Sequence, residues 1–280
     1  MSFDKTIRVL MSDYAAKYGI GNGWSERYKR NYPHILPVNF INGKMDVESQ
    51  KQTIYDQNIL PSAKGKILMP DGKWQKDAHH LNSSQVMCYN LFRPFMDDNG
   101  YISEQGCLFI QKTLGIYLNP QKAVGHFEYE SNTLGWEIDA KVKATNFDFH
   151  INDGKTEIYF EVKYTENKFG NAKHNDQQKY DFYLNKVKSI LGVDIKTEEL
   201  KEYYQLISNI IRISTNIYVV FLYPEQNSEV ASKFSNFQDF LMGKGTTMPD
   251  HVKVLKLEDC KPYVEKDFVE KYLCYMRYMR

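Results

Sequence analysis

The chain has 280 residues, enough to bury one large core or two small ones. Lys+Arg 36 against Asp+Glu 35 leaves a formal net charge of +1, which excludes a general basic excess or an acidic solvating tail. Hydrophobic content of 42% with 25% charged residues excludes collagenous, low-complexity and disordered classes.

The near balance conceals opposite regional charges. Residues 1–80 carry 12 Lys+Arg against 8 Asp+Glu, while residues 81–163 carry 7 against 11. An acidic centre suits a cation site, and a basic arm beside it suits a phosphate backbone. Cys88, Cys107, Cys260 and Cys274 show no C-x-x-C spacing and make no disulfide framework, so a reducing compartment is expected. Asp4, Lys5, Arg8 and Asp13 stand where a signal peptide needs an apolar stretch, and the longest apolar run, Ile217 to Tyr223, is too short to span a bilayer. The expectation is a cytoplasmic protein with no membrane partner.

In chain order, an amphipathic stretch from Phe3 to Lys17 stopped by Gly19 predicts a helix, followed by an irregular region holding Pro33, Pro37, Pro61 and Pro70. Residues 1–78 read as an N-terminal arm and residues 79–280 as the main domain. Ser83 and Ser84 can cap a helix that runs through Val86, Met87, Tyr89 and Leu91 until Pro94. Ser103 can cap a second, ended by Gly115. Strands are predicted over Val124 to Glu130, Asn146 to Ile151 and Glu157 to Tyr164. Helices follow from about Asp176 to Leu191 and Glu198 to Ile213. Ile217 to Leu222 reads as a strand buried on both faces. Helix, strand and helix complete the chain over Ser228 to Met242, Val252 to Leu257 and Tyr263 to Met276. The αβββαβ order predicts a mixed α/β (α+β) fold, a central mixed sheet flanked by helices.

Asn152-Asp153-Gly154-Lys155 is a hairpin signal. A turn centred on Asp153-Gly154 sets Phe149 opposite Ile158 and Asp148 opposite Tyr159. Alternation then predicts Phe147, Phe149 and Ile151 on one face with Ile158, Phe160 and Val162, and Asp148 on the other with Tyr159, Glu161 and Lys163. Two carboxylates and a lysine on one face suit a hard divalent cation and the charge of a phosphodiester under attack.

Asp148, twelve intervening residues and Glu161-Val162-Lys163, set after one helix and before another, resemble the PD-(D/E)XK nuclease superfamily, with Phe147 where a proline is usual. His80-Leu81-Asn82-Ser83-Ser84-Gln85 with Asn90-Leu91-Phe92, then Thr145 to Asp148, Glu161 to Glu166 with Phe169-Gly170, and Tyr204-Gln205-Leu206 with Asn209, are similar to a bacterial family of type II-like restriction endonucleases in that superfamily. This resemblance, over roughly residues 79 to 223, implies a restriction-endonuclease-like core and Mg²⁺-dependent cleavage of double-stranded DNA, with Mn²⁺ as a substitute. It implies Asp148 and Glu161 as metal ligands with the Val162 carbonyl, and Lys163 beside the attacking water. A further acidic ligand is Glu128, with Glu130 as the alternative, since Phe127 and Tyr129 take the opposite parity. Gln85 is a supporting residue, and a homodimer is expected because cutting both strands of a palindrome needs two sites.

Other assignments stay open between function and plain structure. Glu166 is a site residue or a cap, and Gln178 and Lys179 are DNA-contacting or simply solvated. Tyr204 and Gln205 read as packing and capping, Ser83 and Ser84 as caps rather than nucleophiles, and His79-His80 as a polar surface pair rather than metal ligands. A repair, junction-resolving or phage-defence nuclease of the same fold is the alternative function, and a DNA-binding module with a disabled site is the third.

Overall fold

The computed structural model describes residues 2–70, 73–131, 145–172 and 177–277. Its centre is a five-stranded sheet of β5 (Val124–Glu130), β6 (Asn146–Asn152), β7 (Glu157–Val162), β8 (Ile217–Tyr223) and β9 (Val252–Lys256), in that spatial order. Strands β5, β6 and β7 pair antiparallel, and β8 and β9 join parallel, so the sheet is mixed as predicted. Before it come helix α1 (Phe3–Tyr18), two short ribbons, β1 (Gly23–Ser25) with β2 (Arg30–Tyr32) and β3 (Phe40–Ile41) with β4 (Lys44–Met45), and helices α2 (Val47–Thr53), α3 (Ser84–Phe92) and α4 (Glu104–Leu114). Between β7 and β8 lie α5 (Gln177–Leu191), α6 (Thr197–Glu202) and α7 (Tyr204–Ile210). Helix α8 (Ser228–Gly243) joins β8 to β9, and α9 (Lys266–Tyr272) follows.

Each face of the sheet carries its own core. Phe149, Ile158, Phe160, Val162 and Leu222 pack with α3, α4 and α9 on one side, and Phe147, Tyr159 and Phe221 pack with α5, α7 and α8 on the other. Helix α3 is buried along every residue from Gln85 to Phe92, which explains its lack of a polar stripe. Its N-terminus is fixed by Ser83, whose hydroxyl accepts from the Val86 N–H at 3.4 Å. The first core also takes Phe3, Ile7, Met11 and Ala15, the i, i+4 stripe of α1, whose last turn closes on Gly19 at φ 64°. Ser62 donates to Asp267, so the N-terminal region is anchored to α9 as well.

The predicted helix from Glu198 to Ile213 breaks at Tyr203, whose φ of −107° separates α6 from α7. The predicted start of α5 at Asp176 lies outside the described residues. The hairpin register also differs: Phe149 pairs with Phe160 and His150 with Tyr159, a slip of two residues from the expected alignment. The Asp153 carboxylate accepts from the N–H groups of Lys155 at 2.9 Å and Thr156 at 2.7 Å, which takes both amides out of the ladder and widens the loop. A slip of two preserves face parity, so the sequence pattern could not resist it.

Alternation itself fails at one point. Phe127 and Phe149 face the first core, whereas Phe147 and Tyr129, two residues away on the same strands, face the second. The ladder pairs Phe127 with Phe149 and Tyr129 with Phe147 and skips Glu128, whose φ is 50°. Both strands roll over there, so the expected grouping of Phe147 with Phe149 is corrected, as is the shared parity of Phe127 and Tyr129. A left-handed conformation costs a side-chain-bearing residue about 1–2 kcal/mol.

Among the described residues no helix is long and apolar enough to cross a membrane. The four cysteines are free, three of them buried.

Candidate active site

The roll-over places Asp148 beside the C-terminal end of β7. Paired contacts between β6 and β7 end at Phe149 and Phe160, and beyond them the Val162 N–H donates to Asp148 Oδ2 at 2.7 Å. A side-chain carboxylate thus takes a strand amide where the two strands part. Glu161, buried at 4% exposure, lies in the adjacent turn of the pleat. Its Oε1 accepts from Lys163 Nζ at 2.6 Å and from Gln205 Nε2 at 2.7 Å, and its Oε2 accepts from Asn209 Nδ2 at 3.1 Å. Lys163 is held from behind by its backbone N–H, which donates to the Leu222 carbonyl of β8.

Glu128 enters from β5, also buried. Gln85 Nε2 on α3 donates to its Oε1 at 2.5 Å, and Asn146 Nδ2 donates to its Oε2. Gln85 is itself fixed, its Oε1 accepting from the Gln75 N–H and its Nε2 donating also to the Lys73 carbonyl.

The electrostatics follow from this convergence. Asp148 keeps an opening to solvent, yet desolvation by the surrounding protein, then the Glu161 charge, raise its carboxyl well above the usual range, with Lys163 opposing. Burial raises Glu128, against the lowering from its Gln85 and Asn146 hydrogen bonds. Desolvation alone would lower Lys163, but Glu161, Glu166 and Asp148 together raise it, so its ammonium stays charged. The thiol of Cys88 on α3 is raised by burial first and then by the charges of Asp148, Glu128 and Glu161.

The structure therefore brings together Asp148, Glu161, Lys163, Val162, Glu128 and Gln85. It does not bring in Glu130, which is turned outward to Lys73 Nζ at 2.5 Å. Glu166 forms the rim: its Oε1 accepts from Ser84 Oγ at 2.6 Å and its Oε2 from the Tyr164 N–H at 2.8 Å, tying the loop after β7 to the start of α3. Gln178 is exposed on the first turn of α5, and Lys179 lies over the rings of Tyr183 and Tyr204 at 5.5 and 5.8 Å.

Gln205 is not a packing residue, as expected from sequence. It bridges the Gly170 N–H and Glu161, and with Asn209 it fixes both Glu161 oxygens from α7. The i, i+4 spacing of Gln205 and Asn209 was the available signal, since it puts two amides on one helix face. His79 and His80 are likewise no surface pair: His79 is 4% exposed, and the two rings stand 4.7 Å apart.

The donor set can be tested against a cation. Among the described residues no group of three His, Cys, Asp or Glu side chains could hold a metal ion. Two carboxylates with a strand-end carbonyl remain, and Mg²⁺ is usually held by one or two carboxylates with waters and substrate phosphate. Asp148, raised by desolvation first and then by Glu161, with Lys163 opposing, is a carboxylate short of cationic partners. The residues fit such an ion.

A family model described as restriction endonuclease associating with ARP matches residues 11–262. A search of curated proteins and a search of solved structures each find no match. The chain belongs to this restriction-endonuclease family, which gives it a nuclease role in a restriction system.

Proposed function

We propose that this member of a restriction-endonuclease family cuts double-stranded DNA by Mg²⁺-dependent, type II-like hydrolysis of phosphodiester bonds, on a site of PD-(D/E)XK type. The observation that carries the proposal is the meeting of Asp148, Glu161 and Lys163 where β6 and β7 part, with the Val162 N–H fixing Asp148. Asp148, Glu161 and the Val162 carbonyl would hold Mg²⁺, with Mn²⁺ as a substitute, and Glu128, which forms no three-carboxylate group with them, would reach the ion through a water. Bound there, the ion would lower the pKa of a water and offset charge on the phosphate.

The chain's own residues supply the rest. Lys163, a charged donor at 2.6 Å from Glu161, orients the water and neutralises charge that builds on the phosphate oxygens. Gln205 and Asn209 stop Glu161 from turning toward Lys163 alone, so one carboxylate can serve two cations. Gln85 does the same for Glu128. The regional charge supports a basic N-terminal segment lying along the backbone beside an acidic centre. Two copies would cut the two strands.

The test is cleavage of varied unmodified plasmids with Mg²⁺ and with chelator. Discrete fragments in Mg²⁺ support sequence-specific restriction, and intact DNA under all conditions defeats the proposal.

A further inference from the structure

A second polar and aromatic site lies apart from the carboxylates. The ribbon β1–β2 carries Trp24, Tyr28 and Tyr32 on the wall of a cavity of about 360 Å³, whose floor is His34, His79 and His80. Trp24 and Tyr28 are 40% and 48% exposed at the mouth, where the Arg27 guanidinium lies over the Tyr28 ring at 5.3 Å. The rings run inward in sequence: Tyr28 to Tyr32 at 5.6 Å, Tyr32 to His34 at 5.5 Å, His34 to His80 at 6.3 Å and His80 to His79 at 4.7 Å. Burial lowers all three histidines, His34 to about 4 and His80 to about 3, so the floor is neutral.

Two wall residues leave hydrogen-bonding atoms unused. Asn82 Oδ1 is buried with no partner, His79 Nδ1 has no well-aligned one and only the Lys76 carbonyl nearby, and both residues line the cavity. The Asn82 amide orientation follows from its neighbour. Thr165 Oγ1 gives its hydrogen to the Asn82 carbonyl, so it can only accept from the side chain, which leaves Oδ1 as the unused acceptor. Unsatisfied buried polar atoms cost about 1–3 kcal/mol each and ask for a ligand or water.

The histidines, Glu26 and Asp77 of this lining form no group of three able to hold a metal ion. Phosphate alone does not answer this demand: Arg8, Arg27 and Lys76 on the lining are offset by Glu26 and Asp77. What remains is a flat, neutral, polar-edged molecule that stacks on rings. A volume of about 360 Å³ accommodates a base with its sugar. A neighbouring hollow of about 410 Å³ shares Arg8, Asp77, His80 and Asn82 with the cavity and continues past Ser84 to Thr165 and Glu166. That hollow reaches the loop after Lys163, but Asp4, Asp77, Glu166 and Glu229 line it against Arg8 alone, so it repels phosphate and the strand backbone stays outside it.

We propose that this cavity receives an unstacked DNA base, held between the rings of Trp24 and Tyr28 and read at its edge by the His79 and Asn82 wall. The proposal rests on DNA as the substrate. The unstacking cost of the extruded base is offset by its contact with the exposed rings.

The experiment compares a short single-stranded deoxyoligonucleotide with an abasic strand of the same length, bound to the full chain in chelator so that no cutting intervenes. The base-bearing strand is expected to bind about tenfold tighter, and Trp24→Ala with Tyr28→Ala to abolish the difference while leaving abasic binding unchanged. Equal binding of the two strands, or a difference that survives the double variant, overturns the proposal. Both side chains are solvent-exposed, so the variant tests the site rather than folding. Plasmid cleavage in Mg²⁺ separates the two ideas. Cutting with equal strand binding removes the base pocket alone, and base preference without cutting removes the nuclease reading and leaves the pocket.

Discussion

The Asp148 carboxylate accepts the Val162 N–H at 2.7 Å, one strand's side chain completing the next strand's backbone at the point where their ladder stops. That bond fixes the carboxylate in the company of Glu161 and Glu128, where its charge is costly. Asp148→Asn keeps an acceptor for Val162 and removes the repulsion. In chelator the variant should melt higher than wild type, by an amount on the order of 1 kcal/mol. Added Mg²⁺ should raise the wild type and not the variant, closing the gap. Equal Mg²⁺ shifts in thermal melts would show that Asp148 holds no cation.

The amides of α7 give a second outcome. Asn209→Ala frees Glu161 Oε2, and Gln205→Ala leaves Oε1 to Lys163 alone. Cleavage should fall by about 10–100-fold, with more Mg²⁺ needed for half-maximal rate. A titration of rate against Mg²⁺ checks this, and an unchanged half-saturation point would make the two amides merely structural.

Glu128 and Glu130 separate cleanly. Glu130 is 46% exposed at its side chain and paired with Lys73, so Glu130→Gln should cut within about twofold of wild type. Glu128→Gln should lose about a hundredfold or more, because it removes a buried charge beside Asp148. Side-by-side plasmid assays decide, and reversed results would move the third acidic ligand to Glu130.

Lys271 offers a prediction about stability rather than chemistry. It is fully buried, donates to Asn58 O and Oδ1, and burial lowers its pKa to about 7 despite the opposing Asp267 charge. Its unfolded value is near 10.4, so between about pH 7 and 10 the unfolded chain binds the extra proton and this group's contribution rises with pH. Below pH 7 both states are protonated and the full penalty stands. Denaturant unfolding of wild type and Lys271→Met, measured from pH 7 to 9, should show the wild type gaining relative to the variant as pH rises. A constant difference would mean that Lys271 does not titrate in that range.

How much was legible from sequence depends on what each signal measures. Hydrophobic runs located β5 to β9, and caps at Ser83, Ser103 and Gly19 located helix ends, because those depend on neighbours a few residues away. The D…ExK spacing named Asp148, Glu161 and Lys163. Register and facing were harder: the Asp153 carboxylate moved the hairpin by two residues, which parity does not detect, and the roll-over at Glu128 broke alternation outright. Gln205 was visible as part of a motif yet invisible in its role, since its contact with Glu161 spans 44 positions and is made only when α7 docks on the sheet. Burial of His79 likewise depends on tertiary packing that no local pattern reports.

The central claim is that Asp148, Glu161 and Lys163 form one metal-dependent cutting site, and its most direct measurement is linearisation of supercoiled plasmid by wild type, Asp148→Asn and Lys163→Ala. Wild type should cut with Mg²⁺ and stop with chelator, while both variants, folded by circular dichroism, lose more than about a hundredfold. Cutting by both variants at the wild-type rate, or wild-type cutting undiminished by chelator, would contradict the account.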